Sequence, residues 1–184
     1  ERPLDVGRGA SPRLVVRNTG TANLYPRLVL SGLPPAGRET SAANGIALEV
    51  QYLTPDDRPV DPARLAQGTD FKAVVKVTNT GVRGDYDNVA LVHAVASGWE
   101  IRNDRLDPSR DRARRAFDHQ DVRDDRVNTY FSLRAGETKT VEVGLHAAYL
   151  GRFYLPMVTA EAMYDATLAA RVKGQWVEVV EAGR

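Results

Sequence analysis

The 184-residue sequence contains no cysteine, which rules out disulfides, thiolate metal sites and a cysteine nucleophile, though it does not fix a compartment. No apolar run reaches the roughly 18 residues that a membrane-spanning helix needs. Neither sign of charge is in excess: 25 Lys and Arg stand against 24 Asp and Glu, a net charge of +1. That balance gives no electrostatic basis for binding nucleic acid or an anionic membrane. The opening stretch ERPLDVGRGASPR lacks an apolar core and does not read as a signal peptide, so the chain is read as a fragment or a mature piece. Gly-x-Ser-x-Gly, phosphate-loop and Gly-x-Gly-x-x-Gly motifs are all missing. Nothing near His93 or His146 completes a Ser-His-Asp arrangement. No enzymatic constellation can be assembled, and no cofactor is expected.

What is present is a series of short β-like runs separated by turns. Hydrophobic residues make up 42% of the chain and charged ones 27%, a globular composition. Residues 45–53 alternate Ile46, Leu48, Val50 and Tyr52 against Ala47, Glu49 and Gln51. Residues 70–81 alternate Phe71, Ala73, Val75 and Val77 against Lys72, Val74, Lys76 and Thr78. The period of two predicts half-buried strands. Residues 88–101 are nearly continuous and apolar, which predicts a central strand bent at Gly98. Residues 126–148 read as a hairpin turning at Ala135-Gly136. Residues 151–164 read as a strand with Pro156 as a bend or bulge, and residues 175–181 as the closing strand. Shorter runs at 13–20 and 24–32 predict two more. With no helix–strand alternation, the expected fold is an all-β antiparallel sandwich. At most one short helix is expected, over 109–116 in a charged excursion.

RNTGTANLY (17–25) and TNTGVRGDY (78–86) echo one another, each placing Asn-Thr-Gly after an alternating run. Asn and Gly tolerate positive φ, so both read as turns. The Pro/Gly/Ala/Ser-rich stretch 34–45 reads as a boundary. Residues 1–45 are therefore expected to be tail strands of a preceding β domain plus a linker, and 46–184 the sandwich.

Two groups of side chains invite a functional reading. Met163 and Tyr164 sit together on what reads as an exposed loop. Methionine is a flexible, polarizable filler and tyrosine an apolar plate with one polar tip, a pair suited to covering something. The second group lies in FDHQDVRDDR (117–126), where Asp118, His119, Asp121, Asp124 and Asp125 could be metal ligands. The spacing matches no EF-hand or His-Glu-x-x-His pattern. Arg123 and Arg126 are interleaved and can pair with the same carboxylates. Asp121, Arg123, Asp124, Asp125 and Arg126 are thus expected to form a salt-bridged structural corner and not a metal site. Trp99 and Trp176 read as packing residues, with carbohydrate stacking as an alternative.

Three stretches taken together resemble the C-terminal part of bacterial alpha-2-macroglobulins: SGLPPAGRETSAANGIALEVQYLTPDDRPVD (31–61), FDHQDVRDDRVNTYFSL (117–133) and GRFYLPMVTAEAMYDATLAA (151–170). No single piece is specific; their order and spacing carry the likeness, over roughly residues 13–180. The resemblance implies a C-terminal macroglobulin-like β-sandwich of the MG10 type, a non-catalytic part of a large protease-trapping protein. It implies a periplasmic location, with the parent anchored to the inner membrane. The implied partners are the thioester domain of the same parent chain, target proteases engaged by the full-length protein and other cell-envelope proteins. The family's thioester forms between a Cys and a Gln of a separate helical domain, so a chain without cysteine does not carry it. In the family the Met-Tyr pair of the terminal domain packs on that thioester and screens it, a role that falls here on Met163 and Tyr164. The sequence departs from the family pattern just after them, at Asp165, Ala166 and Thr167.

Two other readings stand beside this one: an Ig-like adhesion or scaffold module that binds a partner through a sheet edge, and a carbohydrate-binding sandwich. A helical domain upstream in the parent, with a Cys-x-Glu-Gln motif, would separate the first reading from these. The larger set of alternating strands follows the Pro/Gly-rich stretch. Deleting residues 1–33 is therefore expected to leave one cooperative transition in chemical denaturation. A molten or insoluble product would show that the N-terminal residues belong to the core.

Overall fold

In the computed structural model the chain divides into two compact units, residues 1–33 and 34–184. The structure describes residues 15–27, 32, 34–102 and 117–183. In the first unit the described residues 15–27 form no strand, which corrects the strands expected over 13–20 and 24–32 as far as they are described. The expected helix at 109–116 lies outside the described residues.

The second unit is built from strands, with no helix among its described residues. One sheet has six strands in the order β1 (Ala42–Asn44), β12 (Asp165–Val172), β11 (Val158–Ala162), β5 (Tyr86–Ala94), β8 (Arg126–Leu133) and β7 (His119–Val122). A second has four, β2 (Ile46–Leu53), β4 (Asp70–Asn79), β9 (Thr138–Ala147) and β6 (Trp99–Arg102). A third has three, β10 (Gly151–Leu155), β13 (Gln175–Val180) and β3 (Arg64–Ala66). Every pairing is antiparallel except that of β13 with β3. The expected all-β sandwich is therefore the fold, with one parallel pair added.

The alternation read from the sequence is the alternation of burial. On β4, Phe71, Ala73, Val75 and Val77 point into the core, while on the other face Lys76 is exposed and Lys72 is held between the carboxylates of Asp57 and Glu142. On β8, Val127, Thr129, Phe131 and Leu133 point inward, and on β9 Val141, Val143, Leu145 and Ala147 do so. All three sheets contribute to one apolar cluster, which includes Leu65, Leu155, Val177 and Val179 from the three-stranded sheet. Phe71 and Trp99 meet edge to face at 4.9 Å, and Tyr52 adds a third ring at 5.9 Å from Trp99.

Three expected continuous elements prove to be sheet crossings. The run 88–101 is two strands: β5 ends at Ala94 in the six-stranded sheet and β6 starts at Trp99 in the four-stranded one. A Cβ on Gly98 would lie 2.2 Å from the Phe153 ring, so this crossing needs glycine for close approach. The run 126–148 is not a hairpin, because β8 and β9 belong to different sheets. Its turn at 134–137 directs its backbone outward: Gly136 N–H donates to Asn79 O (3.1 Å), and Ala135 N–H donates to Asp85 Oδ1 (2.8 Å). The run 151–164 splits at Pro156 into β10 and β11, again in different sheets. An alternating pattern with a turn in the middle is the same for a hairpin and for a crossing between layers. Only the partners of the turn's backbone groups distinguish them.

Asn79 holds the second of these junctions, between β8 and β9, together. It is fully buried. Its Nδ2 donates to Gly84 O (2.8 Å) and Leu133 O (3.2 Å), and its Oδ1 accepts from Gly81 N–H (2.8 Å). Its own N–H donates to Glu137 O at 3.0 Å. The sequence reading made this residue an ordinary turn asparagine; in the structure it is a core residue that ends β4.

His93 contrasts with it. It lies on the core face of β5, 1% exposed, and neither ring nitrogen has a hydrogen-bond partner. Across the ladder it faces Val158 of β11 and Val127 of β8. Burial alone lowers its pKa to about 4.

Two outcomes follow from these residues. Asn79→Ala leaves two carbonyls and one N–H without the side chain that satisfied them, so it is expected to cost about 3–4 kcal/mol in denaturant melts at pH 7. His93 is neutral in the folded chain, whereas an unfolded histidine takes up a proton near pH 6.5. Stability is therefore lost as pH falls from about 6.5 to about 4, by on the order of 3 kcal/mol from this group. Melts of His93→Leu at pH 7, 5.5 and 4 are expected to lack that part of the slope; equal slopes in both proteins would refute the assignment.

Candidate functional site

Met163 and Tyr164 are the two residues between the paired Ala162 and Asp165, at the tip of the β11–β12 hairpin. Both are exposed, Met163 at 50% and Tyr164 at 84%. Neither adopts positive φ. A two-residue turn with both φ negative splays the strands it joins, and the register shifts accordingly. Glu161 faces Ala169 while Ala162 faces Asp165, so residues 166–168 bulge out of β12. This bulge is where the sequence departs from the family pattern, and it reveals β12 as a strand that sequence reading missed.

The bulge is fastened at several points. Asp165 Oδ1 accepts from Thr167 N–H (3.0 Å) and from the Thr167 hydroxyl (2.6 Å), a local turn that Asp favours. Arg83 Nη1, from the loop after β4, donates to Asp165 Oδ2 (3.0 Å) and to Thr167 Oγ1 (3.1 Å). Asn44 of β1 donates to Thr167 O at 2.6 Å. Met163 N–H donates to the carbonyl of Asn88, whose φ of 57° is left-handed. Leu168 turns inward and is buried, and a Cβ on Gly45 would lie 2.5 Å from it. Gly45 also has a φ of +72°, so the Asn-Gly pair before β2 serves both the sheet crossing and the bulge. The hydrogen bonds from Thr167, and after them the charge of Arg83, hold the Asp165 carboxyl below its usual range. None of Arg83, Asn44 or Asn88 was singled out from the sequence, and Thr167 was noted only as part of the departure from the family pattern. Asp-x-Thr and Asn-Gly were the local signals available.

Upstream of β1, residues 37–41 run along the sandwich as a strap. Tyr154 hydroxyl donates to Glu39 Oε2 at 2.5 Å, and Gly37 N–H donates to the same oxygen at 2.7 Å. Arg171 Nε donates to Thr40 O, and Lys173 N–H donates to Ser41 Oγ. Residues 42–44, placed with the linker by sequence, pair with β12 and extend the sandwich upstream of the expected boundary.

The acidic–basic group forms two separate local pairs, Asp121–Arg123 at 2.8 Å and Asp125–Arg126 at 2.6 Å, with Asp124 exposed at the turn between them. The corner itself is closed by backbone bonds, Arg123 N–H to Arg126 O and Val95 N–H to Asp125 O. His119 stacks on Tyr130 at 5.9 Å. Among the described residues no three His, Asp or Glu side chains converge as a metal site. His146 Nδ1 lies 2.7 Å from Asp70 Oδ1, and Arg102 holds the other oxygen of that carboxylate. Trp99 is buried among Tyr52 and Phe71, which removes it as a carbohydrate platform. Trp176 is half exposed, but Arg152 lies over its ring at 4.6 Å and Tyr154 meets it edge on.

Similar proteins can now be set beside this geometry. No curated protein sequence matches the chain. Among solved structures, native alpha-2-macroglobulin from Escherichia coli, spanning domain MG7 to the C-terminus, superposes with a TM-score of 0.69 at 18% identity, over 80% of this chain and 25% of that one. Salmonella alpha-2-macroglobulin reacted with methylamine gives 0.70 at 20% identity, over 81% of this chain and 10% of that one. The Escherichia coli protein activated by porcine elastase gives 0.69 at 19%, over 80% and 14%. The chain thus spans a quarter or less of these relatives, and at such identities the likeness is one of fold. Residues 45–166 match the family model of the bacterial alpha-2-macroglobulin MG10 domain, a segment that includes the Met163–Tyr164 tip with Arg83, Asn88 and Asp165, while Asn44 and Thr167 lie just outside it. By that match the chain belongs to the MG10 domain family of the bacterial alpha-2-macroglobulins.

Proposed function

We propose that this chain is the non-catalytic domain that caps the reactive thioester of a bacterial alpha-2-macroglobulin, with Met163 and Tyr164 as the capping side chains. The observation that carries the reading is the tip itself. Two large side chains with apolar surface stand 50% and 84% exposed on a turn that is fastened on several sides. An unfastened loop could bury such residues against its own sheet. Here the turn is held outward, which suits a partner surface.

The chemistry follows from what a thioester is. It is an activated acyl group, and water reaching its carbonyl hydrolyses it before a protease's amine can attack. Apolar side chains packed over it exclude that water. Burying a side chain of this size fully contributes roughly 1.5–3 kcal/mol, less the part already covered, so two of them hold a domain contact that remains reversible. Reversibility is needed because a trap must release its cap when a protease cuts the parent, through a domain rearrangement. The Escherichia coli relative has been described as activated by porcine elastase, and the Salmonella one as reacted with methylamine. By analogy the parent of this chain traps proteases and its thioester reacts with amines. A periplasmic setting with an inner-membrane anchor on the parent accords with this role.

The test is Met163→Ala with Tyr164→Ala. In this chain the double variant is expected to melt within about 0.5 kcal/mol of the parent sequence, as exposed truncations do. In the full-length protein the same change is expected to speed thioester loss to water and methylamine on the order of tenfold, since each 1.4 kcal/mol removed from the capped state raises the open population tenfold. A domain destabilised by about 2–5 kcal/mol, as for an emptied core site, with an unchanged thioester lifetime, would mean the pair is packing.

A further inference from the structure

We infer that Arg83 is a positioning residue for the Met163–Tyr164 tip, acting through Asp165 and Thr167, an inference that rests on the capping role proposed above. Arg83 comes from the loop between β4 and β5, while Asp165 follows Tyr164 directly in sequence. One guanidinium nitrogen bridges two acceptors of the bulge, Asp165 Oδ2 at 3.0 Å and Thr167 Oγ1 at 3.1 Å. The Thr167 hydroxyl accepts from Arg83 and donates to Asp165 Oδ1, closing a three-membered ring of contacts. The backbone that leaves Tyr164 is therefore held by a residue from a loop far away in sequence.

Stability is not the reason for such a pair. Arg83 and Asp165 side chains are 54% and 39% exposed, and exposed pairs contribute little to folding. Their contribution is direction. The turn has no glycine and no positive φ to fix its shape, and its strands are out of register by three residues. Without Arg83 the tip keeps the Met163–Asn88 backbone bond, the Asp165–Thr167 bonds, the Asn44 bond and the buried Leu168, none of which ties Asp165 to the loop between β4 and β5. The loop that supplies Arg83 is rigid enough to serve, because Asn79 binds Gly81 and Gly84 on either side of it. When the tip docks and water leaves, the same pair strengthens as the local dielectric falls. Val82, beside Arg83 and 72% exposed, is carried to the same end of the sandwich.

The test has two levels. In this chain, Arg83→Ala is expected to speed amide hydrogen exchange at residues 163–167 about tenfold, leave β4 and β9 unchanged, and move the melting temperature by less than about 2 °C. Arg83→Lys, which keeps a charged donor at the site, is expected to stay within about twofold of the parent sequence. Unchanged exchange in Arg83→Ala overturns the inference. In the full-length protein, Arg83→Ala is expected to speed thioester loss to methylamine, by less than the Met163→Ala, Tyr164→Ala double variant does. If the double variant speeds that loss and Arg83→Ala does not, the clamp is wrong and the cap stands. If neither does, the capping role fails and the inference falls with it.

Discussion

The end of the sandwich that carries the tip depends on one buried amide. Asn79 ends β4, receives the turn after β8, and satisfies both the loop that follows it and the last carbonyl of β8. A buried polar side chain is costly unless its bonds are made, and here they are made to two separate chain segments, the loop at Gly81 and Gly84 and the end of β8 at Leu133. These bonds help the two sheets keep a fixed spacing at this end. They also make a surface loop stiff enough to present Arg83, and Asp85 of the same loop accepts the Ala135 N–H. His93 is the opposite case. It occupies an apolar position on β5 and brings no bonds with it, so the core tolerates it only as the neutral ring.

Much of the layer structure was legible in the sequence because a half-buried strand leaves a period-two trace. β2, β4 and β13 lie where the alternation placed them, and the fold class followed from strands without intervening helices. The family resemblance, built on the order of three weak stretches, also pointed to the right family. What could not be read was which strands share a sheet. The runs 88–101, 126–148 and 151–164 each switch layers near a glycine, turn or proline that a bend within one sheet would show equally, because the strands on either side face the same core. Short strands left no trace either: β1 and β3 have three residues each, too few for a period to register.

The candidate site was legible in part. Met163 and Tyr164 were readable as an exposed pair because the alternation of Val158, Ala160 and Ala162 stops at them. Their fastenings were not, since Arg83 lies 82 positions from Asp165 and no local rule joins them. The acidic–basic group shows the converse. Its composition suggested one network, yet adjacent residues satisfied one another in two short pairs, and the corner is closed by the backbone. Where charges of both signs alternate closely, the nearest partner wins and no longer-range cluster forms.

The strap over residues 37–44 has a mechanical consequence. It lies alongside β12 and is joined to that strand and its neighbours at Glu39, Thr40, Ser41 and the three paired residues of β1. A pull directed along it loads these bonds in shear, together, whereas a pull away from the sheet would open them in succession like a zip. β12 is thus gripped along one edge by the segment that enters the domain and carries the Met163–Tyr164 turn at its start. Tension arriving from upstream is delivered to the strand that presents the tip, and Asn44, bonded to Thr167, is the last link in that line of force.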